Sequence, residues 1–307
     1  MTNLLNAYGQ AVAIAAVVGL LYASFTLSIG ISFRILNYPD LGLDGAAMLG
    51  GAAFAFAARS GWPVLACIAA SILGGALAGL LTAGQHIVLG VNKLLTGIVT
   101  SAILYSVSIR LMGGRSNVRL PDSVSMFFQV NPGRALLLDL VVLLVPVSII
   151  VFGLLWLFRT RLGFLLRILG DNASFSAALG ENPRVLTAIG LVIANSLTGF
   201  GGALLVQYKG ASDVNTVIGL LVSALACLAV GEAVFQPTTI GRFLFAAVGG
   251  TVIYNLAIAA VLFSWTSRWE AVILPSDVRL ATGALLLAAI WFAKKGSSDR
   301  KLFRSEW

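Results

Sequence analysis

Two carboxylates four residues apart are the first candidates for chemistry: Asp40 and Asp44 in "NYPDLGLDG" (Asn37–Gly45). Pro39 stops an incoming helix, so Asp40 is placed to cap the next one and Asp44 lies one turn inside it. Acidic groups are favoured there because they accept the free N–H groups of a helix start and oppose its dipole. On that reading the pair is structural. On the other, Asn37, Tyr38, Asp40 and Asp44 line a water-filled path, as ionisable groups at membrane depth do. Asp213 and Asn215 in "GASDVNTVIG" hold the matching place later in the chain and carry the same two readings. Asp139 and Glu232 also lie in apolar runs; with Asp44 they are the carboxylates that proton or sodium coupling would use.

Covalent chemistry finds little support. There is no H-E-x-x-H, no paired metal cysteines and no G-x-S-x-G. The single histidine, His86, has no ligand partners near it in sequence and reads as structural. Cys67 and Cys227 lie in apolar runs and read as small buried hydrophobes rather than a disulfide or metal pair. No G-x-x-x-x-G-K-[ST] occurs, so an ATPase driving this chain would be a separate polypeptide. No cofactor is expected on the chain itself.

The elements that position these residues follow from composition. Of 307 residues, 59% are hydrophobic and 10% charged, against about 25% charged in a soluble domain. The mean hydropathy is +0.96. These values imply an all-α polytopic membrane bundle. A span needs roughly 20 apolar residues, and nine stretches qualify: 7–30, 41–58, 63–83, 94–111, 135–158, 185–206, 216–235, 242–264 and 278–293. Some are short or glycine-rich, so one or two are expected to be broken or re-entrant, within a total of eight to ten. The first stretch has no basic residue before Arg34 and is expected to remain as a span, not to be cleaved as a signal. Gly75 and Gly79 in "LGGALAGLL" lie four apart on one face, which allows close helix approach. "NYPDLGLDGAAMLGGAAFAF" and "GASDVNTVIGLLVSALACLAVGE" resemble each other slightly, as inverted repeats of transporters do. The chain therefore reads as one transmembrane domain over 1–307, in two weakly similar halves, 1–158 and 185–293, joined by 159–184.

Net charge is +8. No basic run is interleaved with aromatics, so nucleic acid is not expected as a partner; basic loops report topology instead. Lys294–Arg304 and the group Arg159, Arg161, Arg167 and Arg184 are assigned to the cytoplasm, with four spans between them. The amino terminus then lies outside. So do Arg110, Arg115, Arg119 and Arg134, against the charge rule. Either one span is misassigned, or these arginines form an outer docking surface for an acidic partner.

The central "RLGFLLRILGDNASFSAALGENP" (Arg161–Pro183) is polar in an otherwise apolar chain. Gly170–Asp171 should break the first helix, with Asp171 capping a second. Phe175, Ala178 and Leu179 fall at i, i+3 and i+4 and make one narrow apolar face. Gly180 can end that helix and Pro183 prevents its continuation. So short a helix is unstable alone. Its apolar face needs burial against the chain itself, the lipid interface or a partner's groove.

The segment resembles the cytoplasmic loop of ABC-transporter permeases in the branched-chain amino-acid permease superfamily. Gly170, Asp171, Asn172, Ala178, Leu179, Gly180 and Asn182 match its "G-D-N…A-x-A-L-G-x-N" stretch. "NYPDLGLDGAAMLGG", "GVNKLLTGIVTSAILYSVSIRLMGGRSNV", "LTGFGGALLVQYKGASDVNTVIG" and "VGEAVF" resemble a subgroup described as permeases for aromatic amino acids or of unknown substrate. The chain departs from that subgroup at Tyr38, Gly42 and Leu43, where it has Phe, Thr and Val. The resemblance implies a type II importer fold in a bacterial inner membrane and a coupling helix docked on an ATPase dimer that carries ATP and Mg. It further implies a second copy completing the pore, and a solute-binding protein docked outside on the arginine cluster. The cargo would be a small solute, an amino acid or related compound. An ion-coupled secondary transporter is the alternative, and a non-transporting membrane scaffold a further one.

Overall fold

The computed structural model describes residues 2–121 and 134–269, and beyond them 283, 284 and 287. Side chains are described over 9–121 and 139–261. The first helix, α1 (Thr2–Ile29), runs directly into a π-helical turn, Gly30–Ile35. The chain then breaks, with Asn37 in the left-handed region at φ 48°, a conformation asparagine tolerates better than most residues. Next come α2 (Leu43–Arg59), α3 (Val64–Ile87) and α4 (Lys93–Leu111). Strand β1 (Asn117–Arg119) follows, then α5 (Arg134–Arg159), α6 (Arg161–Asp171), α7 (Ala173–Ala178) and α8 (Pro183–Lys209). The chain continues through β2 (Ala211–Asp213), α9 (Val214–Val217), α10 (Leu220–Phe235) and α11 (Ile240–Trp269).

Seven helical stretches among the described residues are long and apolar enough to cross a membrane. The helix α2 has 17 residues and is at the short end of the range for a span. Helices thus occupy eight of the nine apolar stretches. The ninth, 278–293, lies outside the described residues apart from 283, 284 and 287.

The chain divides into two compact units, Leu27–Phe127 with Trp156–Leu221, and Met1–Thr26 with Phe128–Leu155 and Val222–Trp307. In the first, α2 is the centre. It packs on α3, α8 and α4 and is buried on nearly every face. Its Gly- and Ala-rich sequence allows this, because lipid provides no drive for helices to associate and close backbone approach must supply it. A Cβ at Gly75 would collide with the Asn195 carbonyl and Gly199, and one at Gly79 with the Leu191 carbonyl. The pair predicted to allow close approach therefore sets the α3–α8 contact. Ser71 Oγ lies 2.6 Å from the Gly50 carbonyl and 2.7 Å from the Gly199 carbonyl, tying α2 and α8 to α3. In the second unit, Ala226, Cys227 and Tyr254 form a small cluster between α10 and α11, and Gly250 approaches the Cys227 carbonyl and Gly231.

Strands β1 and β2 pair antiparallel, Asn117 opposite Asp213 and Arg119 opposite Ala211. This ribbon brings the C-terminal ends of α4 and α8 to one end of the first unit. Leu120, beside it, packs with Phe54, Ala57 and Ala58 of α2. The chain after β2 then turns back inward. Gly219 and Leu221 reach Asp44 on the first turn of α2, roughly 20 Å of helix below the end of α2 at 1.5 Å per residue. The apolar stretch 216–235 is thus not one continuous helix: α9 ends at Val217, Gly219 takes φ 89°, and α10 begins inside the unit.

Candidate functional site

Two groups of residues stand out, one in the α6–α7 segment and one around the break between α1 and α2. The first is the segment α6–α7. Helix α6 is amphipathic and buries Gly163, Leu165, Leu166 and Leu169. It ends at Asp171, and the cap of α7 is Asn172, one residue later than expected: its Oδ1 accepts the N–H groups of Ser174 at 3.0 Å and Phe175 at 3.2 Å. Gly180 follows α7 at φ 81°. Asn182 caps α8 by accepting the Arg184 N–H at 3.0 Å, and Pro183 opens that helix. Arg161 and Glu181 are ion-paired at 2.8 Å, joining the start of α6 to the loop before α8. Beside that pair an open groove of ≈ 390 Å³ is lined by Leu162, Leu165, Asn182 and Val185 among others.

The apolar face of α7 is not covered by this chain. Phe175 is 53% exposed and Leu179 49%, and Ala178 is exposed beside them. Ser176, beside that face, is the one residue of α7 that is buried. The six-residue helix is therefore held at Ser176 and by its cap, with its apolar side turned outward.

The second group surrounds the break. Asn37 is exposed, and its carbonyl accepts from Lys93 Nζ at 3.4 Å. Tyr38 is sealed in: its hydroxyl is 2.8 Å from Thr96 Oγ1, its ring meets His86 edge-on at 5.3 Å, and Lys93 Nζ lies 5.5 Å from its centroid. His86 Nδ1 is in turn 2.8 Å from the Val91 carbonyl. Asp40 is buried. One carboxyl oxygen accepts the Gly42 N–H at 2.8 Å and the other accepts from Asn195 Nδ2 at 2.8 Å. Asp44 accepts the N–H of Gly219 at 2.9 Å and of Leu221 at 2.8 Å. The partner of Asp44 from the second half is therefore the start of α10. Asp213 lies in the ribbon and caps α9 through the Asn215 N–H at 2.9 Å, with Asn215 exposed.

Sequence reasoning had no place for Asn195, Ser28 or Thr198. Ser28 donates to the Ala194 carbonyl at 2.6 Å and receives from Thr198 at 2.8 Å, all buried. The available signal was polarity inside an apolar run, which points inward by default. At the ribbon end, Arg110, Arg115 and Arg119 are exposed. Arg134 begins α5, with its side chain outside the described residues. Asp139 is buried within α5. No group of three or more potential metal ligands occurs among the described residues.

Residues 11–290 match the family model described as the branched-chain amino acid transport system permease component. A tyrosine transport system permease protein of Clostridioides difficile is 33% identical over 88% of this chain and 86% of its own. A nucleoside ABC transporter permease protein, NupC of Lactococcus lactis, is 30% identical over 59% of this chain and 64% of its own. Among solved structures, PsaBC from Streptococcus pneumoniae in complex with Fab shares the fold, with a TM-score of 0.50 at 14% identity over 92% of this chain and 90% of that one. With its apolar helices, the chain is a multi-pass inner-membrane protein, and it belongs to the permease-component family of branched-chain amino acid ABC transport systems.

Proposed function

We propose that this chain is the membrane half of an ATP-driven importer for an amino acid or related small solute. Two copies form the path, an ATPase dimer carrying ATP and Mg binds on the α7 side, and a solute-binding protein delivers cargo at the ribbon end. The observation that carries this reading is the outward apolar face of α7: Phe175, Ala178 and Leu179 are presented on a helix too short to persist alone, with a side-chain cap that fixes its position. Such a knob suits a groove on a partner. The tyrosine transport permease among the relatives supports an amino-acid cargo. Arg110, Arg115 and Arg119 suit docking of an acidic binding-protein surface, where charge chiefly speeds encounter and fixes register. Asn37, Tyr38, Asp40, Asp44, Asp213 and Asn215 remain the proposed path residues. Of these, Tyr38 and Asp40 are closed off in the present conformation.

The test is reconstitution of the permease in liposomes with the ATPase subunit of its system. Uptake should require ATP and that subunit. Leu179→Asp places an unpaired charge in an apolar contact, which costs several kcal/mol. It should weaken ATPase binding by about 100-fold and abolish uptake while the permease folds normally. Uptake driven by an ion gradient alone, or normal assembly of the variant, refutes the reading.

A further inference from the structure

Residues 35–44, which join α1 to α2, touch four other parts of their unit by packing or hydrogen bonds, and the contacts follow one another along the segment. At its start, Gly170 of α6 lies so close that a Cβ there would overlap the Ile35 carbonyl oxygen. Leu36 packs its side chain against Gly190 of α8. Tyr38 is bonded to Thr96 of α4 at 2.8 Å. Asp40 takes Asn195 of α8 at 2.8 Å. Asp44 holds the N–H groups of Gly219 and Leu221, where the returning chain becomes α10. Ile35, Leu36, Tyr38 and Asp40 are all buried.

The backbone of this segment is not a regular rod. It combines a π-helical turn, which holds one more residue per hydrogen-bonded loop than an α-turn, with a left-handed asparagine. Both are sparsely populated conformations that persist only when surrounding contacts impose them. Close-packed interiors pass displacement on and do not absorb it. A shift of α6 has no free volume at Ile35 in which to die away.

We propose that residues 35–44 form a mechanical link that passes displacement of α6 to the start of α10, through the Gly170–Ile35, Asp40–Asn195 and Asp44–Gly219/Leu221 contacts. Asp44 is then a positioning residue for the inward-turning segment. Use of the link by an ATPase rests on the function proposed above; the link itself is a property of this chain alone.

The test is amide hydrogen exchange of the full chain in lipid nanodiscs, without ATPase. Asp44→Asn removes an acceptor directly and is the reference. Gly170→Ala crowds Ile35, and Leu36→Ala loosens the packing of the next residue on Gly190 of α8 without adding bulk, so it serves if the glycine variant fails to fold. Each should raise exchange at Gly219 and Leu221 by about tenfold or more. The double variant Gly170→Ala with Asp44→Asn should not exceed the larger single effect, because both act on one series of contacts. Exchange raised only around residues 33–40, with Gly219 and Leu221 at their wild-type protection, overturns the link, as does a multiplicative double variant. Absence of ATP-driven uptake would sink the proposed function and leave this result standing.

Discussion

Asp40 has one donor supplied locally, the Gly42 N–H, and one supplied from 155 residues away, the Asn195 amide. The local half was legible only in part: an acidic residue after Pro39 was expected to cap α2, but α2 begins at Leu43 with Gly42 at its cap position and no side-chain cap, and Asp40 instead accepts the Gly42 N–H two residues on. The distant half was not, because a side-chain partner on another helix leaves no spacing in the sequence. The same holds for Asp44, whose partners are backbone groups of Gly219 and Leu221. Energetically the distant bond should matter more than a typical buried hydroxyl. Asn195→Leu leaves an Asp40 oxygen buried without that donor, at a cost of about 2–3 kcal/mol. Ser71→Ala should cost about 1 kcal/mol, since the hydroxyl donates to one carbonyl at a time. Unfolding midpoints in mixed micelles should rank the two in that order, and the reverse order would show that the Asp40–Asn195 bond contributes little to stability.

Elements were legible where a local pattern defines them. The Gly75 and Gly79 spacing announced close helix packing, though not that α8 would be the neighbour. The short helix α7 followed from its glycines and apolar spacing. Its cap was displaced by one residue because α6 continues through Asp171 while Gly170 stays against the Ile35 carbonyl; Asp and Asn are equally good caps, so composition could not choose between them. The break in 216–235 was hidden inside a uniformly apolar run, where only the ribbon and the Asp44 contact impose it. For α7 the cap has a measurable consequence. Asn172→Ala removes the acceptor for the Ser174 and Phe175 N–H groups, worth about 1 kcal/mol, and lets the first turn fray. ATPase binding should weaken about fivefold in titrations against the permease in nanodiscs. Asn172→Ser should restore most of it, because a serine oxygen also caps. Full affinity with Asn172→Ala would mean that α7 needs no cap to dock.

On the scale of the molecule, the first unit places the ribbon with Arg110, Arg115 and Arg119 at the C-terminal ends of α4 and α8, while α6, α7 and Arg184 lie at the N-terminal end of α8. Arg110, Arg115 and Arg119, which stood against the charge rule in the sequence, are therefore at the opposite end of α8 from the proposed ATPase contact. An impermeant maleimide should label Arg115→Cys from outside intact cells and leave Ser174→Cys unlabelled until the cytoplasm is opened, with little background because Cys67 and Cys227 are buried. With that separation, the two proposed docking surfaces should behave independently. Reversing Arg115 and Arg119 to Glu should slow association of the binding protein by about tenfold or more at low salt. The difference should shrink near 0.5 M salt, where the screening length is only about 4 Å. ATPase affinity should stay at its wild-type value, since the proposed contact through Phe175, Ala178 and Leu179 is at the other end of α8. A salt-independent loss, or one that falls equally on both partners, would mean the substitutions had damaged the fold and not a charged docking surface.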